Sequence, residues 1–235
     1  MRSSRPAVPV LHEDNHVLVV VKPVNMPTQE DASGDLDLLT ALKEDLKERH
    51  QKPGNVFLGL VHRLDRPVGG AMVFAKTSKA ASRLSDAVRT HKLGKTYLAV
   101  VRGRPAEASA RLVHHLRKDS RTNTVSVVRA GSEGAKEAIL DYETLASRDE
   151  LSLVRVRLKT GRPHQIRVQL ATIGCPLYGD QRYGTSVNKP GQQLALWAAE
   201  LSFPHPTLGE TLTFTSRPPA DDPWTLWPDL LPARF

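Results

Sequence analysis

"GLVHRLDRPVGGAMVFAKT" runs from Gly59 to Thr77. Its two ends are apolar, as buried strands are. Its middle holds His62, Arg63, Asp65 and Arg66, followed by Pro67 and the pair Gly69–Gly70. On an extended backbone Arg63 and Asp65 project to one side, and His62 and Leu64 to the other. The proline and glycines then force a turn, and glycine lets a ligand approach the backbone closely. Two readings stand side by side: a salt bridge closing a strand end, or an aspartate and an arginine lining a cleft.

Working outward, "HVLVVVKP" (His16 to Pro23) is a β-branched run ended by proline, a buried strand. From Asp37, "DLLTALKEDLKERHQ" places Leu38, Leu39, Leu42 and Leu46 at helical spacing. "NVFLGLVH" and "GAMVFAKT" are the strands on either side of the charged stretch. "SKAASRLSDAVRTHK" is a helix with Ser78 as N-cap and Ala81, Leu84 and Val88 on one face. "KTYLAVVRG" is a strand whose Tyr97, Ala99 and Val101 share a face. Ala106 to Ala146 is polar and strand-like, with turns near Asn123 and Gly131. "LSLVRVRLKT" sets Arg155 and Arg157 opposite Val154, Val156 and Leu158. "RPHQIRVQLATIG" is expected as a helix with Pro163 near its first position and Gly174 at its end. "LALWAAELSF" precedes a proline-rich end. Strands outnumber helices and often follow one another directly, so the fold class is α+β with a largely antiparallel sheet. No repeat, linker or domain boundary is visible.

The 235 residues are 40% hydrophobic, enough to bury a core and too many for wholesale disorder. Lys and Arg outnumber Asp and Glu by 33 to 25. Such an excess reads either as attraction to a polyanion, most often nucleic acid, or as ordinary solubility charge. The single cysteine, Cys175, excludes an internal disulfide and fits a reducing compartment. No apolar run reaches the roughly 18 residues a membrane span needs, and the start lacks a signal-peptide core. A cytoplasmic protein is expected. Neither standard glycine-rich phosphate loop nor zinc spacing occurs, so no cofactor and no metal is expected.

A second charged stretch, "TGRPHQIRVQL" (Thr160 to Leu170), sets Arg162, His164 and Arg167 at a strand-to-helix junction. It reads as a phosphate-attracting helix start or as a solvated basic face. Together the two stretches narrow the choice. "HRLDRPVGG" resembles the signature of the RluA family of RNA pseudouridine synthases, His-Arg-Leu-Asp-Arg followed by a residue and Thr-Ser-Gly. "TGRPHQIRVQL" resembles its second signature, Thr-Gly-Arg-Thr-His-Gln-Ile-Arg-Val-His. "EDNHVLVVVKPVNMPTQ", "KLGKTYLAVVRG", "PLYGDQRYG" and "LALWAAELSFPHP" match in order, so the resemblance covers about residues 10 to 215.

The resemblance implies the pseudouridine synthase catalytic fold over the whole chain as one domain, with residues 1–9 flexible: a largely antiparallel mixed sheet, flanking helices and a central RNA-binding cleft. It implies isomerisation of uridine in ribosomal or transfer RNA. The nitrogen–carbon glycosidic bond breaks, the uracil rotates, and a carbon–carbon bond forms at ring carbon 5, without cofactor. By the match Asp65 is the catalytic carboxylate, as nucleophile or as base. Arg167 pairs with it, and an adjacent cation lowers an Asp pKa by about 1–3. Tyr97 is catalytic and packs on the uracil, against the plain alternative of a core tyrosine. The base must be extruded from its stack. Arg63 then fills the vacated space, while His62 and Arg66 bind phosphate or hold the loop. Arg162 and His164 complete the RNA-binding set.

The chain departs from the pattern at Val68 and Gly69, at Pro163, and at Cys175 and Trp197, where His is common. These bear on RNA contacts and loop rigidity. The first strand is expected near residue 16, without room for the accessory RNA-binding domain of many relatives. Recognition then rests on the catalytic domain, with Arg102, Arg104, Arg117, Lys118 and Arg121 as RNA contacts or solvated charges. A monomer without membrane contact is expected. Two rival readings remain: a catalytically idle RNA-binding or ribosome-assembly protein on this fold, and a carboxylate-dependent hydrolase unrelated to RNA.

Overall fold

A computed structural model describes residues 8–233; for residues 1–7 the expected flexibility lies outside the described residues. The chain forms two compact units where the sequence displayed no boundary. The first extends to Gly94 and resumes over Glu200–Ser216; the second comprises Lys95–Ala199 and the segment from Arg217 onward.

The first unit begins with a strand the sequence reading lacked, β1 (Val10–Glu13), paired antiparallel with β2 (Val17–Lys22). Asp14 closes the turn between them, accepting the His16 and Val17 N–H groups at 2.6 and 2.8 Å. Val17 to Val20 have no exposed surface, so β2 is buried on both faces, which is why its apolar run is unbroken. Helix α1 (Leu38–Arg49) starts where Asp37 accepts the Thr40 N–H at 3.0 Å; such a cap is worth about 1 kcal/mol. It buries Leu38, Ala41, Leu42 and Leu46, one apolar stripe. The strand expected over "NVFLGLVH" shrinks to β3 (Gly59–Leu60), and Phe57 is exposed.

β4 (Gly69–Ala75) is buried throughout and pairs antiparallel with β2, from Val17↔Ala75 to Lys22↔Gly70. Helix α2 (Ser78–Arg89) is capped by Thr77, which accepts the Ala80 N–H at 3.1 Å. The expected cap, Ser78, is already helical, because Thr77 is the last residue with extended backbone. Ala80 and Leu84 pack on Val17, Val19, Val73 and Ala75. Each buried Val or Leu contributes about 1.5–3 kcal/mol.

The second unit holds β5 (Gly94–Arg102, after its first residue), β6 (Ser109–Asp119), β7 (Thr124–Val128), β8 (Lys136–Arg148) and β9 (Leu151–Leu158). They lie in the order β5-β9-β8-β6-β7, each pair antiparallel. Asn123 and Gly131 adopt positive φ, as their turns require. Helix α3 (Gln165–Thr172) is shorter than expected: His164 has a left-handed backbone (φ 51°), so the helix cannot begin at Pro163. Val168 of α3 packs with Leu116, Val125 and Ala138. β10 (Leu196–Pro204) carries the chain back into the first unit, where β11 (Thr211–Thr215) pairs with it over Glu200–Pro204. Leu201 and Phe203 join the core with α2. Every strand pairing within each unit is antiparallel, so the α+β class holds.

Candidate active site

In the first unit, residues 61–68 form a loop, yet the expected alternation survives. His62 and Leu64 are 8% and 7% exposed, Arg63 is exposed and Asp65 is half-buried. The reversal sits at Arg66–Pro67, with the Val68 N–H donating to Asp65 O at 2.9 Å. Gly69 and Gly70, expected to make the turn, already belong to β4.

Three side chains that the apolar background conceals hold this loop. Lys22, at the end of β2, has no exposed surface. Its Nζ donates to Pro23 O at 3.0 Å, Arg66 O at 3.0 Å and Val68 O at 2.8 Å, so one ammonium gathers both sides of the turn that presents Asp65. Burial brings the Lys22 pKa down to about 7; the charge of Asp65 opposes that fall and Arg66 adds to it. Thr28 Oγ1 donates to Leu64 O at 2.9 Å. His62 Nε2 accepts the Val73 N–H at 3.1 Å, a backbone donor that a longer β3 would have used. This bond ties the loop to β4. Arg66 is turned onto residues 31–35, donating to Ser33 Oγ at 2.9 Å and pairing with Asp35. Arg63 has no hydrogen bond or ion pair among the described residues.

In the second unit, Tyr97 lies in β5 opposite Val156 and is 6% exposed. Gln165 Oε1 accepts from Thr160 Oγ1 at 2.8 Å and from the Arg162 N–H at 2.9 Å, which stiffens the approach to α3. Arg162 Nε donates to Glu137 O at 2.8 Å. His164 Nδ1 meets Tyr183 Oη at 2.7 Å, and that oxygen also accepts the Val125 N–H at 2.9 Å. Arg167 is buried and makes a two-point bridge to Asp180, Nε to Oδ2 and Nη2 to Oδ1, both at 2.8 Å. Burial disfavours ionisation of Asp180, but the Arg167 bonds and charge, with the Tyr183 and Arg182 N–H groups, outweigh it and hold the carboxyl below its ordinary range. Arg102 turns inward to Asn188 Oδ1 at 3.0 Å and lies over the Tyr178 ring. Arg104, Arg117, Lys118 and Arg121 are exposed.

The expected residues therefore fall on both units: His62, Arg63, Asp65 and Arg66 on the first, Tyr97, Arg162, His164 and Arg167 on the second. Sequence reasoning passed over Lys22, Thr28 and Asp180. The signal for Lys22 was a lone cation ending an apolar run; for Asp180 it was "GDQRYG", matched without a role. Among the departures, Val68, Cys175 and Trp197 are buried. No helix among the described residues is long and apolar enough to cross a membrane.

Comparison with known proteins places the chain among RNA-modifying isomerases of the pseudouridine synthase class. The RNA pseudouridylate synthase family matches residues 16–172. An RNA pseudouridine synthase of Bacillus subtilis, YhcT, is 33% identical over 222 residues, which are 90% of this chain and 69% of that protein. A ribosomal large subunit pseudouridine synthase D of Zymomonas mobilis is also 33% identical, with the same coverage. The solved structure of human RNA pseudouridylate synthase domain containing 4 superposes with a TM-score of 0.79 at 25% identity, covering 96% of this chain and 94% of the human one. The chain belongs to the RNA pseudouridine synthase family, RluA type. It is an isomerase that converts uridine in RNA to pseudouridine, which disfavours both the idle RNA-binding protein and the hydrolase.

Proposed function

We propose that the enzyme acts on uridines of structured RNA in the cytoplasm, as a monomer and without a cofactor, by flipping the target base and breaking its glycosidic bond with the Asp65 carboxylate. Ribosomal RNA is the favoured substrate over transfer RNA, because relatives of this chain are named for the large ribosomal subunit. Asp65 acts as nucleophile or as base. Arg167 pairs with it, Tyr97 packs against the uracil, and Arg63 occupies the space the base leaves. Arg63 suits its part because its planar group stacks and binds phosphate at once. Arg162 and His164, at the start of α3, bind the backbone of the RNA.

The observation that carries this reading is the bracing of the Asp65 turn by a buried ammonium. A carboxylate held on an immobilised turn is kept aimed, as a reacting group must be. The test is Asp65→Asn, which preserves shape but is neither nucleophile nor base. Product, read by chemical mapping of pseudouridine, should vanish while RNA affinity and melting temperature hold. Turnover by the purified variant would remove Asp65 from its role.

A further inference from the structure

We infer that Asp180 is a positioning residue for catalysis, fixing the plane in which Arg167 presents its guanidinium. The inference rests on the reading of Arg167 given above.

Four N–H groups converge on this one carboxylate. Oδ2 takes Arg167 Nε–H at 2.8 Å; Oδ1 takes Arg167 Nη2–H at 2.8 Å, the Arg182 N–H at 2.8 Å and the Tyr183 N–H at 3.0 Å. The two arginine bonds are parallel and share the guanidinium plane, so rotation about the last bonds of the Arg167 side chain breaks at least one of them. Tyr183 closes one face of that plane, its ring centre 5.2 Å from Arg167 Cζ. Asp180 is itself held. Asn188, 7% exposed, accepts the Gly179 N–H at 2.9 Å and donates to Leu177 O at 2.8 Å, and Arg102 donates to the same Asn188 oxygen. From Arg102 through Asn188 and Asp180 to Arg167 each group fixes the next.

A loop-stabilising aspartate needs only one oxygen for the Arg182 and Tyr183 N–H groups, and asparagine supplies that. The fork to Arg167 needs both oxygens. In Asp180→Asn the amide nitrogen faces Arg167 Nε, donor against donor, so the turn persists and the fork is lost. The experiment measures single-turnover rate and RNA affinity on full-length wild type, Asp180→Asn, Arg167→Lys and the double variant, with an RNA transcript that wild type modifies. Misplacing a catalytic group by about 1 Å costs on the order of 100-fold in rate. Asp180→Asn should lose rate on that scale, bind RNA as wild type does, and add nothing to the loss in Arg167→Lys. Wild-type rate in Asp180→Asn, or losses that multiply in the double variant, would overturn the inference. Wild-type rate in Arg167→Lys overturns the underlying reading of Arg167 itself, a result distinct from either. If Asp180→Asn does not fold at the assay temperature, Asp180→Glu decides. It keeps the pairing charge but moves the carboxylate by one methylene, and the same separation of rate from affinity is expected; an unchanged rate overturns the inference.

Discussion

Lys22 shows what a single buried charge does to a site and to the protein that carries it. Its ammonium is satisfied by three carbonyls, two of them 44 and 46 residues away in sequence. Its pKa falls from 10.5 to about 7, so between these values the unfolded chain binds more protons than the folded one. The penalty for burying the charge is full below pH 7 and is relieved as pH rises toward 10.5. Denaturant midpoints should therefore rise between pH 7 and pH 10, and Lys22→Met should remove that rise; a parallel pH dependence in the variant would refute the assignment. The same residue marks the limit of reading by sequence. Asp65 and Arg167 stand in short motifs of adjacent residues and are legible there. Lys22 and Asp180 act through partners that folding brings near, and nothing in their own neighbourhood announces them.

At the level of elements, periodicity located β2, β4, β5, β9, α1 and α2 because each buries a face that local pattern records. The failures have local causes of another kind. β3 stops early where the His62 side chain takes a backbone donor, and α3 starts late where His164 turns left-handed. The loop from Gly179 to Gln192 has no pattern at all; its order comes from Asn188 and from one close backbone approach. A Cβ on Gly179, at φ +75°, would stand 2.1 Å from Gln193 O. Gly179→Ala should thus destabilise the protein by more than about 1 kcal/mol, since alanine at positive φ is strained even in open space. It should also slow turnover, because the displaced residue is next to Asp180. A melting temperature and rate equal to wild type would show that the loop yields freely.

For the whole molecule, composition pointed to a packed core and left a polyanionic partner and solubility charge both open; the net charge of +8 suits an RNA substrate. The division into two units was invisible because it follows no linker: the chain leaves the first unit at Gly94 and re-enters it at Glu200 in the middle of a strand. That interruption has a consequence for the protein as it is made. A ribosome delivers the chain from its N-terminus, so when α2 emerges the core it packs against still lacks Leu201 and Phe203. Synthesis at about 5–20 residues per second keeps that apolar face waiting on the order of ten seconds, while the whole of β5 to β9 appears. The main part of the second unit, Lys95 to Ala199, is then free to fold before the first unit is complete; the earlier-made segment closes around β10 and β11, and the second unit's last segment, from Arg217 onward, joins after them. Nascent chains stalled after Ala199 should be cleaved by protease within residues 10–94, and chains stalled well past Ser216 should resist. Equal resistance at both lengths would mean that the first unit forms before its last strands exist.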